Sequence, residues 1–338
     1  MNRPRPGSAT ARAAANIALI KYWGKRPGML NLPATGSLSL TLGALTTTTT
    51  VSFDPALKTD QVTINGHDDP QVTRRIAAWL DLVRAAAGVT WHAAITSRND
   101  FPTAAGLASS ASGFAALTVA AEAALGIDFG APRRAVFARR GSGSAGRSLY
   151  GGFAIQHRGE RDDGEDAIAE PLFPAAHWPL AAVIAITDPR PKPVASTDGM
   201  TLTARTSPYY PAWVESSAAD LAAARQAIAA RDFERLAALA EHNCLKMHAS
   251  ALAADPGVVY WRGATVDGID AVRELRAAGV PVFFTIDAGP QVKAICLPAA
   301  QDRVRERLAA VPGVHQVITS ALGEPAEVLA AEPGGDRC

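Results

Sequence analysis

The chain has 338 residues, 48% hydrophobic and 19% charged, a length that accommodates two packed lobes. Its formal net charge of +1 gives a whole-molecule field that argues neither for nor against nucleic acid, and no nucleic-acid partner is expected. Cys244, Cys296 and Cys338 form no CxxC pair, so no zinc site or disulfide framework is signalled and a reduced, cytoplasmic setting is the simplest expectation; no run approaches the ~18 apolar residues of a membrane span, so no membrane partner is expected either.

The basic start of the chain, with Arg3, Arg5 and Arg12, lacks the apolar stretch of a secretory signal. Residues 16–23 read as a strand, with Ile17, Leu19 and the Tyr22 or Trp23 ring turned inward. Residues 37–42 alternate, and 46–53 are β-branched and strand-like. Val72, Ile76, Leu80 and Val83 recur at helical spacing. A strand at 91–96 leads into a loop and then into an alanine-rich helix at 113–125, followed by a helix at 132–140. The acidic stretch 160–170 reads as an exposed loop and 180–187 as an apolar strand. Pro189, Pro191 and Pro193 mark the boundary region between lobes.

The second half opens with helices at 216–230 and 233–253. A helix at 266–277, strands at 280–287 and 292–297, a helix at 301–310 and a strand at 316–319 complete it. This mixture predicts an α+β sandwich, with a first lobe over 1–185, a second over 186–330 and a disordered tail over 331–338.

Three segments carry candidate chemistry. In Phe101-Pro-Thr-Ala-Ala-Gly-Leu-Ala-Ser-Ser-Ala-Ser-Gly113, small residues let backbone approach a ligand closely. A helix starting near its end points free N–H groups at an anion. Ser109, Ser110 and Ser112 add hydroxyls for phosphate or magnesium. The same composition also fits a small-residue helix packed tightly on a neighbour, and composition does not choose between them.

In Gly141-Ser-Gly-Ser-Ala-Gly-Arg-Ser-Leu-Tyr-Gly-Gly152, the Arg147 guanidinium is suited to clamp a carboxylate or phosphate, against the plainer reading of a flexible turn. Asp287 ends the apolar stretch Val282-Phe-Phe-Thr-Ile-Asp-Ala-Gly-Pro290; alone, it reads first as an Asp starting a turn. No Asp or Glu precedes Asp54, whereas Lys21, Lys25 and Arg26 do. On charge alone that is a short basic tail and a solvated edge.

Taken together, these segments resemble the diphosphomevalonate decarboxylases of the GHMP small-molecule kinase superfamily. The resemblance rests on Asn16-Ile-Ala-Leu-Ile-Lys-Tyr-Trp-Gly-Lys-Arg26, Leu30-Asn-Leu-Pro33, the phosphate loop, the arginine segment, Ser196-Thr-Asp-Gly-Met200, Met247-His-Ala249 and Asp287-Ala-Gly-Pro290, in the family's order. It implies a GHMP kinase fold: a ribosomal-S5-like first lobe, a ferredoxin-like second lobe and an active-site cleft between them.

It further implies ATP and Mg2+ as cofactors, mevalonate 5-diphosphate as substrate, and a homodimer. Asp287, Arg147 and Lys21 match the catalytic positions. Tyr22, Lys25, Ser142, Ser144, Arg147 and Ser196 match substrate-binding positions. Gly106, Leu107, Ala108, Ser109, Ser110 and Ser112 match the nucleotide loop, with Ser110 the metal-facing member. His248 reads as a structural hydrogen-bonding residue.

Three departures stand out: Asp100 for a frequent asparagine, Gln291 for the asparagine after Asp-Ala-Gly-Pro, and Gly146 for a frequent cysteine. Sister activities on mevalonate 5-phosphate, or 3-phosphorylation without decarboxylation, stay open, as does a catalytically silent homologue.

Overall fold

The computed structural model describes residues 3–28, 30–101, 107 and 109–333. Its first sheet is built on a long antiparallel pair, β1 (Gly7–Ile20) and β2 (Ser37–Asp54). β1 begins well before the predicted strand. Its first half is alanine alternating with polar residues, Ala9, Ala11 and Ala13 inward and Thr10 and Arg12 outward, and alanine gives little β signal.

β2 joins the two strands predicted at 37–42 and 46–53. The register passes from Ala15↔Leu42 to Ala14↔Thr46. Gly43, Ala44 and Leu45 therefore form a bulge that bends one strand rather than ending it. At that bulge a Cβ on Gly43 would meet Gly323 Cα at 3.2 Å, so the chain returning from the second lobe passes close over it.

The sheet continues with β3 (Gln61–Ile64), β4 (His92–Asn99), β5 (Phe153–Gln156) and β6 (Ala169–Phe173), and is completed from the far end of the chain by β11 (Glu327–Pro333). The order is β11-β1-β2-β4-β3, with β5 joining β2 to β6. β6 takes up the end of the stretch expected to be an exposed loop, and β11 includes residues 331–333 of the expected disordered tail, paired with Gly7–Ala9.

Three helices cover one face: α1 (Pro70–Ala87), α2 (Ser109–Ala124) and α3 (Ala131–Gly141). Asp69 caps α1 by accepting from Gln71 N and Val72 N. Trp79, Leu80, Phe114, Leu117 and Phe137 pack there against Val51 and Phe53.

The second sheet comprises β7 (Ala181–Ile186), β8 (Val282–Thr285), β9 (Val292–Cys296) and β10 (Gln316–Ala321), all antiparallel, in the order β10-β7-β9-β8. Thus β7, all but its last residue before the division expected at 185/186, pairs within the second sheet, whereas β11 returns to the first. The helices of this half are α4 (Ser196–Thr206), α5 (Tyr210–Ala230), α6 (Phe233–Leu252), α7 (Gly263–Ala277) and α8 (Gln301–Ala309).

One face of the second sheet packs Val183, Phe284 and Val292 on Ile269 and Val272 of α7 and Val304 of α8. The other face packs Ile184, Phe283 and Ile295 against Ile17 and Leu19 of β1 and Leu38 and Leu40 of β2. β1 is therefore shared by both halves, and its carboxyl end is delivered to their junction.

Candidate functional site

Lys21 follows β1 directly and is 1% exposed. Its Nζ donates to Ala18 O at 2.8 Å and to Asp287 Oδ1 at 2.8 Å. Its backbone N–H donates to Asn243 Oδ1 of α6. Asp287 comes from the opposite side, two residues beyond β8, on a strand end held by Cys244 and His248 through Ile286. Burial alone would raise the Asp287 carboxyl, but Lys21, Lys293 and Arg147 outweigh it and hold the group below the usual carboxylate range.

Arg147 lies in a buried 3-10 turn, Ala145–Leu149. Its Nη1 donates to Ser37 Oγ at 2.5 Å and its Nη2 to Asn16 Oδ1 at 3.1 Å. Asn16 in turn donates to Ser144 O and Ser148 Oγ, so the guanidinium is oriented before any ligand arrives. Burial lowers its pKa to about 10, opposed by Asp287 and Tyr22; it stays charged near neutrality. Among the described residues, Arg147 Nε and the Tyr22 hydroxyl are buried without hydrogen-bond partners, which is how polar groups kept for a ligand look. A Cβ on Gly143 would lie 2.2 Å from the Tyr22 hydroxyl; only glycine leaves room for that ring.

These groups line one cleft of about 850 Å3 at the junction of the two halves, beside the packed sheets. Among its described wall residues are six cations, Lys21, Lys25, Arg75, Arg140, Arg147 and Lys192, and one carboxylate, Asp287. Such a wall suits a polyanion. Lys25 donates to Asn31 Oδ1 at 2.8 Å and Thr197 Oγ1 at 3.2 Å. Ser142 and Ser144 line the cleft, and Ser142 Oγ lies 3.2 Å from Ser110 Oγ. The two serine-rich segments, separate in sequence, therefore meet. Ser109 and Ser110 open α2, so its amino end faces the cleft, with Leu107 beside it. Gly106 and Ala108 lie outside the described residues.

Ser112 departs from expectation: it is fully buried, with Oγ 2.6 Å from Thr47 Oγ1 of β2. Two residues on from Ser110, about 200° around the helix, it lies on the sheet side.

Ser196 is the first residue of α4 and accepts from Lys192 Nζ at 2.5 Å. Lys192 also donates to Ala288 O at 3.0 Å. It, Arg75 and Lys293 were missed from sequence. Lys192 sits between two of the prolines that marked the boundary. Arg75 lay on the polar face of α1, where charge is ordinary. Lys293 was the more legible signal, as the one charged residue within the strand 292–296.

The three departures are absorbed locally. Asp100 accepts from Thr46 N and Oγ1, both at 2.7 Å, so its charge serves a strand end. Gln291 Oε1 accepts from Thr187 N and its Nε2 donates to Asp188 O, tying β7 to the turn. At Gly146 a Cβ would come within 2.9 Å of Ala169 Cβ. His248 is buried outside the cleft wall, as a structural residue would be.

Residues 13–169 match the family model for the diphosphomevalonate decarboxylase-like N-terminal domain, and residues 182–329 match the mevalonate 5-diphosphate decarboxylase C-terminal domain. The chain is 37% identical over 327 residues to the diphosphomevalonate decarboxylase of Aspergillus fumigatus, covering 90% of this chain and 80% of the relative. The mevalonate diphosphate decarboxylase structure from Staphylococcus aureus superposes with a TM-score of 0.91 at 39% identity, covering 96% and 98% of the two chains. An MDDEF structure in complex with MVAPP, AMPPCP and magnesium superposes with a TM-score of 0.88 at 41% identity, covering 95% and 98%. With its cleft, its two sheets and its sequence agreeing over nearly the whole length, the chain belongs to the diphosphomevalonate decarboxylase family and has the GHMP kinase fold.

Proposed function

We propose that this chain catalyses the ATP-dependent decarboxylation of mevalonate 5-diphosphate to isopentenyl diphosphate, releasing ADP, phosphate and carbon dioxide. The observation that carries the reading is the convergence of Asp287, Lys21 and Arg147 on one cation-walled cleft. In this reading Asp287 orients the substrate's 3-hydroxyl and accepts its proton as the oxygen takes the terminal phosphoryl group. Lys21 keeps that carboxylate ionised and aimed. Arg147 holds the substrate carboxylate through its fork. When the 3-phosphate leaves with the C–O electron pair, the electrons of the breaking C–CO2 bond form the alkene.

Tyr22, Lys25, Ser142, Ser144 and Ser196 are assigned to the substrate's phosphates, and Ser109 and Ser110 to the nucleotide's. ATP supplies the phosphoryl group, and Mg2+ neutralises charge on it. The described residues contain no group of three His, Cys, Asp or Glu side chains placed to hold a metal. By the family resemblance Mg2+ is assigned to the nucleotide phosphates with Ser110 as the protein contact, in keeping with the few protein ligands this ion commonly takes at phosphate sites. A homodimer in the cytoplasm completes the reading by family likeness, and light scattering at the mass of one chain would remove the dimer.

The test is a substrate panel. Purified protein with MgATP is given mevalonate, its 5-phosphate and its 5-diphosphate, and carbon dioxide and ADP are followed together. Equal release of both from the 5-diphosphate is expected. ADP without carbon dioxide, or preference for the 5-phosphate, would overturn the assignment.

A further inference from the structure

Lys293 occupies an interior strand of the second sheet and is 2% exposed. β9 alternates: Val292, Ala294 and Cys296 pack toward α7 and α8, whereas Ile295 packs toward β1 and β2. Lys293 shares the Ile295 face. Directly across the strand pair stands Thr285, whose hydroxyl donates to Ala18 O at 3.2 Å. The same carbonyl accepts from Lys21 Nζ, which also bonds Asp287. Lys293 is thus placed at the seam between the sheets, behind the Lys21–Asp287 pair and outside the cleft wall.

An ammonium in such a position is costly unless an opposite charge compensates it. Asp287 is the carboxylate whose field favours the charged form of Lys293, with a smaller contribution from Cys244; Lys21 and Lys192 oppose it. In return, the field of Lys293 on Asp287 follows that of Lys21 and precedes that of Arg147. Lys21 faces two tasks during turnover, holding Asp287 and meeting the substrate. A second ammonium that never touches substrate leaves the carboxylate anchored while Lys21 does both.

We propose that Lys293 is a positioning residue for the reaction, a buried ammonium that holds the Asp287 carboxylate in place from behind the Lys21–Asp287 pair. This rests on the function proposed above. Burial lowers the Lys293 pKa to about 8, against the opposing pull of Asp287, so its charge is lost in an accessible pH range. An arginine does not titrate there.

The experiment compares wild type, Lys293→Met and Lys293→Arg for kcat and kcat/KM from pH 6 to about 9.5, with MgATP and mevalonate 5-diphosphate. Lys293→Met is expected to lose about tenfold or more in kcat/KM at pH 7, because the carboxylate is no longer held from behind; tenfold corresponds to about 1.4 kcal/mol of lost positioning. Lys293→Arg is expected to move the alkaline fall in rate to higher pH, whatever its plateau. Should the methionine variant not fold, the arginine profile alone decides. Wild-type rates in Lys293→Met, or an alkaline limb unmoved in Lys293→Arg, would overturn the proposal. Absence of carbon dioxide release from wild type would instead overturn the function itself.

Discussion

At Asp287 two physical demands conflict: burial favours the neutral acid, and the surrounding cations favour the anion a proton acceptor needs. The cations win, so Asp287→Asn removes the acceptor while leaving the shape of the cleft. Turnover is expected to fall by roughly 10²–10⁴-fold, the usual weight of a positioned base, with nucleotide binding retained. Carbon dioxide release and nucleotide titration measure the two separately, and near-normal release would remove Asp287 from its role.

His248 shows the opposite balance. Burial, reinforced by Lys21, drives its pKa from 6.5 to about 3, and the ring sits 4.9 Å from that of Trp261. A folded value below the unfolded one means its contribution is full above pH 6.5 and is lost as pH falls toward 3, at about 1.4 kcal/mol per pH unit. A His248→Gln variant should flatten the acid-side decline of Tm; a slope equal to wild type would clear His248 of responsibility. Asp287, Arg147 and Lys21 were singled out through the ordered set of segments that carries the family resemblance; taken alone, Asp287 read as a turn residue and Lys21 as part of a basic edge. Lys192 and Arg75 were not, because their place in the cleft depends on how a proline-rich turn and a helix face pack in three dimensions.

Among the elements, long apolar or β-branched runs were legible and small-residue ones were not. The helix over 70–87 and the strand over 181–186 follow from periodicity and apolar continuity. The amino end of α2 was placed four residues late because serine at 109–112 resembles a loop; there the serines form the helix start itself. β11 escaped notice because its residues alternate weakly and its partner lies at the other end of the chain. Removing 327–333 exposes the edge of β1 from Gly7 to Arg12. The fall in Tm should reach at least about 5 °C, since each kcal/mol lost is worth a few degrees in a chain of this size. Calorimetry checks this, and an unchanged Tm would mean the edge pairing contributes nothing.

Across the whole molecule, a formal charge of +1 hides a strong asymmetry, because the cations gather in the cleft. That field should speed capture of a polyanion and weaken in salt. Raising ionic strength from about 0.05 M to 0.5 M is expected to lower kcat/KM by roughly tenfold, mainly through KM. Steady-state assays at fixed pH test it, and salt-independent kinetics would contradict electrostatic capture. Sequence order could not reveal this concentration of charge, since its contributors come from four separated segments that only the packing of two sheets unites.

The pairing of Gly7 with Pro333 has a consequence for biosynthesis. The whole second sheet is inserted in the chain between β6 and β11 of the first. A ribosome making this chain releases β1 early and must then hold its outer edge bare until β11 emerges. The half carrying Lys21 and Arg147 is therefore closed only after the second sheet has been made, and a nascent chain stalled before residue 327 would expose an open strand edge to its neighbours.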